Sequence, residues 1–381
     1  MIKREMVYRG SKSVILANNI TVKEQRVDGH KCAKLAAHLR YALMGFERNY
    51  QVRIPSNHLI TLKRSYTSLS TVKSHISNLS GNLNPFFLTG FSDAESNFTV
   101  RIFKSNSVKV GWVVQPIFQI DLHKKDLTLL KKIQTFLGVG EIYHKENSSN
   151  YMVQSLSGLS VIVNHFEKYP LLTKKWADFK LFAQVVALMN KKEHLTISGL
   201  HQIVSIKASM NNLRLSPLLK TAFPNIIPAI RPERSNIVEH LLKSKIDPCW
   251  MAGFVAGEGC FSIRITKSLT MKTGFQVQLR FQITQHSIDK VFMESLVNFW
   301  GCGKVFLRFR ENKVDFQVLK IKDLSEKVIP LFQSISLQGV KHQDFLDFCK
   351  AVEIMKAKGH LTKEGLDQIR ILKMGMNTGR E

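Results

Sequence analysis

Two stretches decide how this chain folds: LNPFFLTGFSDAESNFTVRI at residues 83–102 and IDPCWMAGFVAGEGCFSIRI at residues 246–265. Laid over each other at an offset of 163, they pair Pro85 with Pro248, Gly90 with Gly253, Glu95 with Glu258, Phe98 with Phe261 and Arg101 with Arg264. The offset runs on without a gap through the FQI of Phe118–Ile120 and Phe281–Ile283, and through the GxG of Gly138/Gly140 and Gly301/Gly303. After a shift of three residues, HLTxxGL at His194–Leu200 matches His360–Leu366, and Met210-Asn211 matches Met376-Asn377. A period this long means duplication of a whole domain, not a solenoid. The repeats are assigned to residues 83–221 and 246–381, joined by a proline-containing linker, AFPNIIPAIRPERSNIVEHLLKSK, at 222–245. Residues 1–82 are a basic N-terminal extension.

Composition narrows the partner. Among 381 residues there are 55 Lys and Arg against 29 Asp and Glu, a formal charge of +26, and the surplus is shared: +10 over 1–82, +8 over 83–223 and +8 over 224–381. Basic residues interleaved with apolar ones along the whole chain point to a polyanion, nucleic acid before membrane. No apolar run approaches the length of a membrane span. The five cysteines (Cys32, Cys249, Cys260, Cys302 and Cys349) are odd in number and never spaced CxxC, which argues against a disulfide framework or structural zinc. A hydrophobic content of 44%, with 24 Phe, supports a packed core. The extension, with Ser/Thr/Asn-rich runs, is expected to be partly disordered, and its MGFERNYQVRIP could form a strand. It lacks the apolar segment of a secretory signal and only weakly suggests an organellar transit peptide.

Within each repeat the periodicity predicts helix, two strands, helix, two strands, then helices. Asn84 and Asp247 are natural N-caps before Pro85 and Pro248. In the next strand Phe98, Val100 and Ile102 alternate with Thr99, Arg101 and Phe103, and Phe261, Ile263 and Ile265 with Ser262, Arg264 and Thr266. GFQVQLRFQITQ reads as a strand with Phe275, Val277, Leu279, Phe281 and Ile283 on its core face and Gln276, Gln278, Arg280, Gln282 and Thr284 on its wet face. Helices are expected over 126–137 and 289–300. After the second GxG, Lys304, Arg308 and Arg310 are expected on one strand face and Val305, Leu307 and Phe309 on the other.

The first helix of each repeat carries a stripe with almost no side chain, Gly90 and Ala94 in one, Gly253 and Gly257 in the other, so two such helices can meet backbone to backbone. Close packing does not account for Glu95 and Glu258, which end their helices where the macrodipole already disfavours an acid by roughly 0.3–1 kcal/mol. Pseudo-twofold packing would gather both carboxylates and the last carbonyls, a cluster of oxygens suited to a hard divalent cation, Mg²⁺ above all.

LTGFSDAES and MAGFVAGEG resemble the two signature motifs of single-chain LAGLIDADG homing endonucleases, above all the fungal mitochondrial intron-encoded members, and the resemblance runs from Leu83 to Arg380. It implies an α+β fold: two αββαββα domains joined by their motif helices, with antiparallel sheets forming a saddle over DNA. It further implies a mitochondrial monomer making Mg²⁺-dependent double-strand breaks with short 3′ overhangs at a long asymmetric site, to the benefit of intron mobility. Glu95 and Glu258 match the family's metal-binding acids, the carbonyls of Ala94 and Gly257 those that also face metal, and Gln119 and Gln282 the strand positions near the site's water network, with groove-face DNA contact an equal alternative. Lys320 matches a basic residue near the scissile phosphates, and Ser155 or Ser157 takes its place in the first repeat. The motif glycine is kept at Gly259 and replaced by Ser96, a cost if that position needs positive φ. Arg and Gln on the wet strand faces suit base reading: Arg101, Gln115, Arg264, Gln276, Gln278, Arg280, Arg308, Arg310 and Gln317, with Thr99, Ser262, Thr266 and Lys304 completing the DNA-facing set. An RNA maturase acting on its host intron would use the same basic fold, but it has no need of both acids.

Overall fold

The structure, a computed structural model, describes residues 83–211, 215–233 and 246–379. The extension 1–82, with its expected disorder and strand, and the second half of the linker lie outside the described residues.

Helix α1 (Pro85–Glu95) leads into β1 (Ser96–Lys104), β2 (Trp112–His123), α2 (Leu127–Leu137), β3 (Glu141–His144), β4 (Ser148–Val153), α3 (Leu156–Lys168), α4 (Lys175–Asn190), α5 (Ile197–Ala208) and α6 (Pro217–Ala222). The second repeat restates this as α7 (Pro248–Glu258), β5 (Gly259–Lys267), β6 (Phe275–His286), α8 (Lys290–Trp300), β7 (Lys304–Arg308) and β8 (Lys313–Val318). A helical run of Ile321–Asp323, a π turn Leu324–Val328 and α9 (Ile329–Ser334) follows, then α10 (Lys341–Lys356) and α11 (Lys363–Met374). Both sheets are four-stranded and antiparallel, ordered β1-β2-β4-β3 and β5-β6-β8-β7.

The expected caps are present. Asn84 Oδ1 accepts from the N–H groups of Phe86 and Phe87, and Asp247 Oδ1 from those of Cys249 and Trp250, which satisfies the orphan donors of each motif helix. The repeated Phe is the centre of each core: Phe98 packs on Phe118, Phe166, Phe179 and Phe182 at 5.2–5.5 Å between ring centroids. Phe261 likewise packs on Phe281, Phe332, Phe345 and Phe348. The other repeated motifs are scaffolding. Thr196 and Thr362 of HLTxxGL cap α5 and α11 through Gly199 and Gly365 N–H. Asn211 and Asn377, at φ 43° and 54°, tie the chain to the carbonyls of Phe98 and Phe261 and to Asp178 and Asp344.

The strand register places two of the three shifted residues. Phe118 faces Val153 while Phe281 faces Val318, so the offset has grown from 163 to 165 across the β7–β8 turn. That turn corrects one sequence expectation. The strand stops at Arg308, Phe309–Glu311 turns, and Asn312 takes φ 50°, so Arg310 does not share a strand face with Lys304 and Arg308, and Phe309 is 80% exposed. Phe306 takes the intervening place on the Lys304 face.

The first half of the linker is fastened to its own repeat. Phe223 packs on Trp112 and His201, Ser205 and Ser209 donate to the carbonyls of Ile227 and Ala229, and Arg231 forks onto both carboxylate oxygens of Asp178 at 2.7 and 2.9 Å. Among the described residues no helix is long and apolar enough to cross a membrane, and Cys249, Cys260, Cys302 and Cys349 are free thiols.

Candidate active site at the junction of the two repeats

The motif helices pack with their backbones in contact. A methyl group on Gly90 would overlap the Trp250 carbonyl and come within 2.9 Å of Phe254 N; one on Gly253 would overlap the Phe87 carbonyl and come within 2.8 Å of Phe91 N. The reciprocity is a pseudo-twofold, since Phe87 and Trp250 are themselves repeat equivalents. At the far end of the pair, a methyl group on Gly257 would meet Ala94 Cβ and lie 3.2 Å from Glu95 Oε1. The glycine stripe therefore brings the Glu95 carboxylate against the partner helix, beside Glu258.

Electrostatics report the crowding. Burial, and then the neighbouring Glu95 carboxylate, push the Glu258 carboxyl up to about 8, against the pull of Lys175, Lys341 and Gln285. The two acids sit where a second negative charge is disfavoured unless a cation joins them. Oxygen donors of opposite helices, held close by a glycine at Gly257 against Ala94, and mutual repulsion of the acids suit a hard divalent ion.

Two lysines that the sequence reading did not select complete the site. Lys175 Nζ donates to the carbonyls of Ser92, Ala94 and Ser96 at 3.0, 3.3 and 2.6 Å, and Lys341 Nζ to those of Gly257 and Gly259 at 3.0 and 2.5 Å. Each ammonium thus neutralises the negative end of its motif helix. Burial pulls the Lys175 ammonium below its ordinary value, while the carboxylates of Asp93, Glu258, Glu95 and Asp289 push it back. The carbonyls of Ala94 and Gly257, expected to face metal, accept these lysines. A signal for them exists in the sequence: at the three-residue shift, Lys175, Asp178 and Phe179 align with Lys341, Asp344 and Phe345.

The glutamines divide between the acid and the sheets. Gln285 Nε2 donates to Glu258 Oε1 at 2.8 Å. Gln282 lies in a polar chain on the sheet, accepting from Gln317 at 3.2 Å and donating to Thr284, which donates to Asp315. Gln119 faces Asn97 and Met152 across the first sheet. Lys320 is exposed at the start of the helical run after β8, at the place where Ser155 caps α3 through Gly158 N–H; the register matches it to Ser155, not Ser157.

Ser96 bears no strain, contrary to the condition attached to it: its φ is −84° and that of Gly259 is −75°, so neither needs a glycine for its backbone. The side chain one turn back contributes to the difference. A methyl group on Gly259 would press on Val255 Cγ1 at 2.5 Å and on the Val255 carbonyl oxygen at 2.6 Å, whereas Ser96 sits behind the smaller Ser92 and donates to its carbonyl at 2.6 Å.

The remaining predicted residues share the polar sheet faces. Arg101 pairs with Gln115 across β1–β2, and Gln115 bonds Gln154 at 3.0 Å; Thr99 lies opposite Ile117. On β5–β6 the pairs are Ser262 with Arg280, Arg264 with Gln278 and Thr266 with Gln276. Lys304 faces Gln317. Arg308 is engaged by Asp315 and Glu311 at 3.0 and 2.8 Å. The first repeat makes a similar cross-strand pair with Lys145 and Asp121 at 2.7 Å.

Comparison with known proteins agrees with this architecture. The sequence profile of the LAGLIDADG endonuclease family matches residues 88–186 and 251–352. The chain is 39% identical to probable intron-encoded endonuclease 3 of Neurospora crassa, over 98% of this chain and 70% of that protein. It is also 39% identical to probable intron-encoded endonuclease 2 of the same fungus, over 81% and 69%. The solved structure of I-SmaMI bound to uncleaved DNA target in the presence of calcium ions superposes with a TM-score of 0.75 at 44% identity, covering 78% of this chain and all of that one. The LAGLIDADG homing endonuclease I-GzeII in complex with its DNA target gives 0.72 at 38%, covering 79% and 100%. Two matched repeats, their motif helices packed on a pseudo-twofold and paired antiparallel sheets leave one assignment: the chain belongs to the LAGLIDADG endonuclease family.

Proposed function

We propose that this protein is a site-specific homing endonuclease that makes a divalent-metal-dependent double-strand break, with short 3′ overhangs, at a long asymmetric DNA site and so promotes the mobility of an intron in a mitochondrial gene. The observation that carries this reading is the pair Glu95 and Glu258 at the joined ends of the motif helices, each with a lysine on the adjoining carbonyls.

Glu95 and Glu258 would hold the metal, each carboxylate serving the cut in one strand, with the carbonyls of Ala94 and Gly257 facing it; Mg²⁺ suits the all-oxygen donor set. When bound, it supplies Lewis acidity at the scissile phosphates and neutralises negative charge as it develops. Gln285 fixes the rotamer of the Glu258 carboxylate. Lys175 and Lys341 hold fixed positive charge beside the helix ends, where phosphate approaches. Lys320, exposed at the end of β8, suits a contact with the DNA backbone. Gln119 and Gln282 belong with the sheet faces, where Arg101, Gln115, Arg264, Gln276, Gln278, Arg280 and Gln317 read base edges and Thr99, Ser262, Thr266, Lys304 and Arg310 contact phosphate or sugar. Arg308 must exchange Glu311 for DNA before it can read. The relatives' DNA-bound structures and intron-encoded names support the partner and the compartment. A maturase role for host intron RNA makes no use of the paired acids, and nothing in the site favours it.

The test is cleavage of fragmented intron-less fungal mitochondrial DNA by the purified protein with Mg²⁺, the ends being sequenced, beside a chelator control. Discrete cuts with short 3′ overhangs that chelator abolishes are expected. Tight, salt-sensitive binding without cuts contradicts the reading.

A further inference from the structure

We propose that Asp126 and Asp289 are positioning residues acting across the pseudo-twofold: each caps the helix that begins with the site lysine of the opposite repeat. Both aspartates stand at the N-cap of their own second helix, α2 or α8, and neither makes a capping bond there. An aspartate at that position ordinarily bonds the N–H of its own first turn. Instead, Val340 N donates to Asp126 Oδ1 at 2.8 Å, and Lys174 N donates to Asp289 Oδ1 at 2.7 Å. Val340 and Lys174 are the N-cap residues of α10 and α4, and neither caps its helix with its own side chain. The next residues are Lys341 and Lys175.

The arrangement resolves a local conflict. A lysine in the first turn puts positive charge at the positive end of a helix, which is unfavourable. The opposite repeat adds a carboxylate at the cap to the one that Asp178 or Asp344 already places in the first turn, and the lysine is free to turn back onto the carbonyls of its own motif helix. The trans-capping recurs at equivalent residues of both repeats, so it is part of the design of the interface. Its consequence is coupling: a shift of one repeat against the other draws both lysines off the sites they serve.

The two halves are unequal. The loop before Lys175 is held a second time, by Asp93, whose carboxylate accepts from Leu172 N at 2.7 Å and from Thr173 N and Oγ1 at 3.2 and 2.6 Å. In the second repeat Ala256 stands at the place of Asp93, and the loop carries Gly339 at φ 74°. Its added tie also comes from the first repeat, Lys132 Nζ to Gln338 Oε1 at 2.7 Å. Lys341 therefore depends on the opposite repeat more than Lys175 does.

The effect on catalysis rests on the cleavage reading above; the capping itself does not. The experiment compares wild type with Asp126→Ala, Asp126→Asn and Asp289→Ala in two measurements. Backbone hydrogen exchange is followed in the segments 337–345 and 171–180, and nicking of each strand is followed on end-labelled duplex carrying the site that wild type selects. For Asp126→Ala, faster exchange confined to 337–345 is expected, with one strand cut roughly ten- to a hundredfold more slowly and the other little changed. Asp126→Asn, which keeps an acceptor oxygen, restores most of both. Asp289→Ala gives the smaller effect, on the other strand. Exchange at 337–345 unmoved in Asp126→Ala, exchange raised throughout the chain, or both strands slowed alike would overturn the proposal. If wild type cuts no DNA, the cleavage reading fails by itself and the exchange measurement still decides the capping.

Discussion

Gln285 donates to the Glu258 carboxylate at 2.8 Å, and the first repeat has Leu122 where the second has Gln285. The two acids are thus held differently. A hydrogen bond to a charged group contributes about 1.5–3 kcal/mol, so Gln285→Leu is expected to slow the strand served by Glu258 by roughly ten- to a hundredfold while DNA affinity holds. Single-turnover nicking with each strand labelled separately checks it; equal slowing of both strands would show that Gln285 acts through the fold.

Gly90→Ala and Gly253→Ala each place a methyl group on a backbone carbonyl of the opposite helix. Backbone cannot rotate away as a side chain can, so either change is expected to cost roughly 3 kcal/mol or more and to loosen the pair of acids. Urea unfolding measures it; a loss below about 1 kcal/mol would mean that the helices separate freely.

The Gly259 position depends on Val255. Gly259→Ser is expected to destabilise by roughly 1–3 kcal/mol, and adding Val255→Ser, which copies Ser92 with Ser96, to recover part of the loss, the part due to the Val255 side chain. Additive losses in this double-mutant cycle would refute the packing explanation.

His165 gives a pH signature. It is 9% exposed, its Nε2 meets Thr89 Oγ1 at 3.2 Å, and burial pulls its imidazole down to about 4. The folded state therefore binds its proton less readily than the unfolded chain does. The contribution is complete above the ordinary value of 6.5 and is lost as pH falls toward 4, by roughly 1–3 kcal/mol. His165→Gln should flatten that part of the stability profile between pH 7 and 4.5; parallel profiles would contradict it.

Much of this was legible in the sequence, for identifiable reasons. The fold follows from period and cap: Asn84 and Asp247 before proline, alternation along GFQVQLRFQITQ, and an offset that pairs every buried Phe at the core centres. Glu95 and Glu258 stood out because acids at helix ends go against the dipole. Lys175 and Lys341 did not, because a lysine opening an amphipathic helix looks solvated and its carbonyl partners lie some 80 residues earlier in the chain. Gln285 was hidden by parity, being on the core-face register of β6 and reaching the site only because the strand ends there. Asp126 and Asp289 read as ordinary helix starts; only the packed interface shows that they cap another helix. Arg310 was misplaced because a left-handed Asn312 curtails β7, and no period announces that.

The central claim is that the two carboxylates act together in cutting. The most direct measurement takes the site selected by wild type and compares double-strand cleavage by wild type, Glu95→Gln and Glu258→Gln in Mg²⁺, with binding measured in parallel on the same duplex. Loss of double-strand cuts in each variant, by roughly a thousandfold or more with affinity kept within about tenfold, is the predicted result. Full double-strand cleavage by either variant would contradict it.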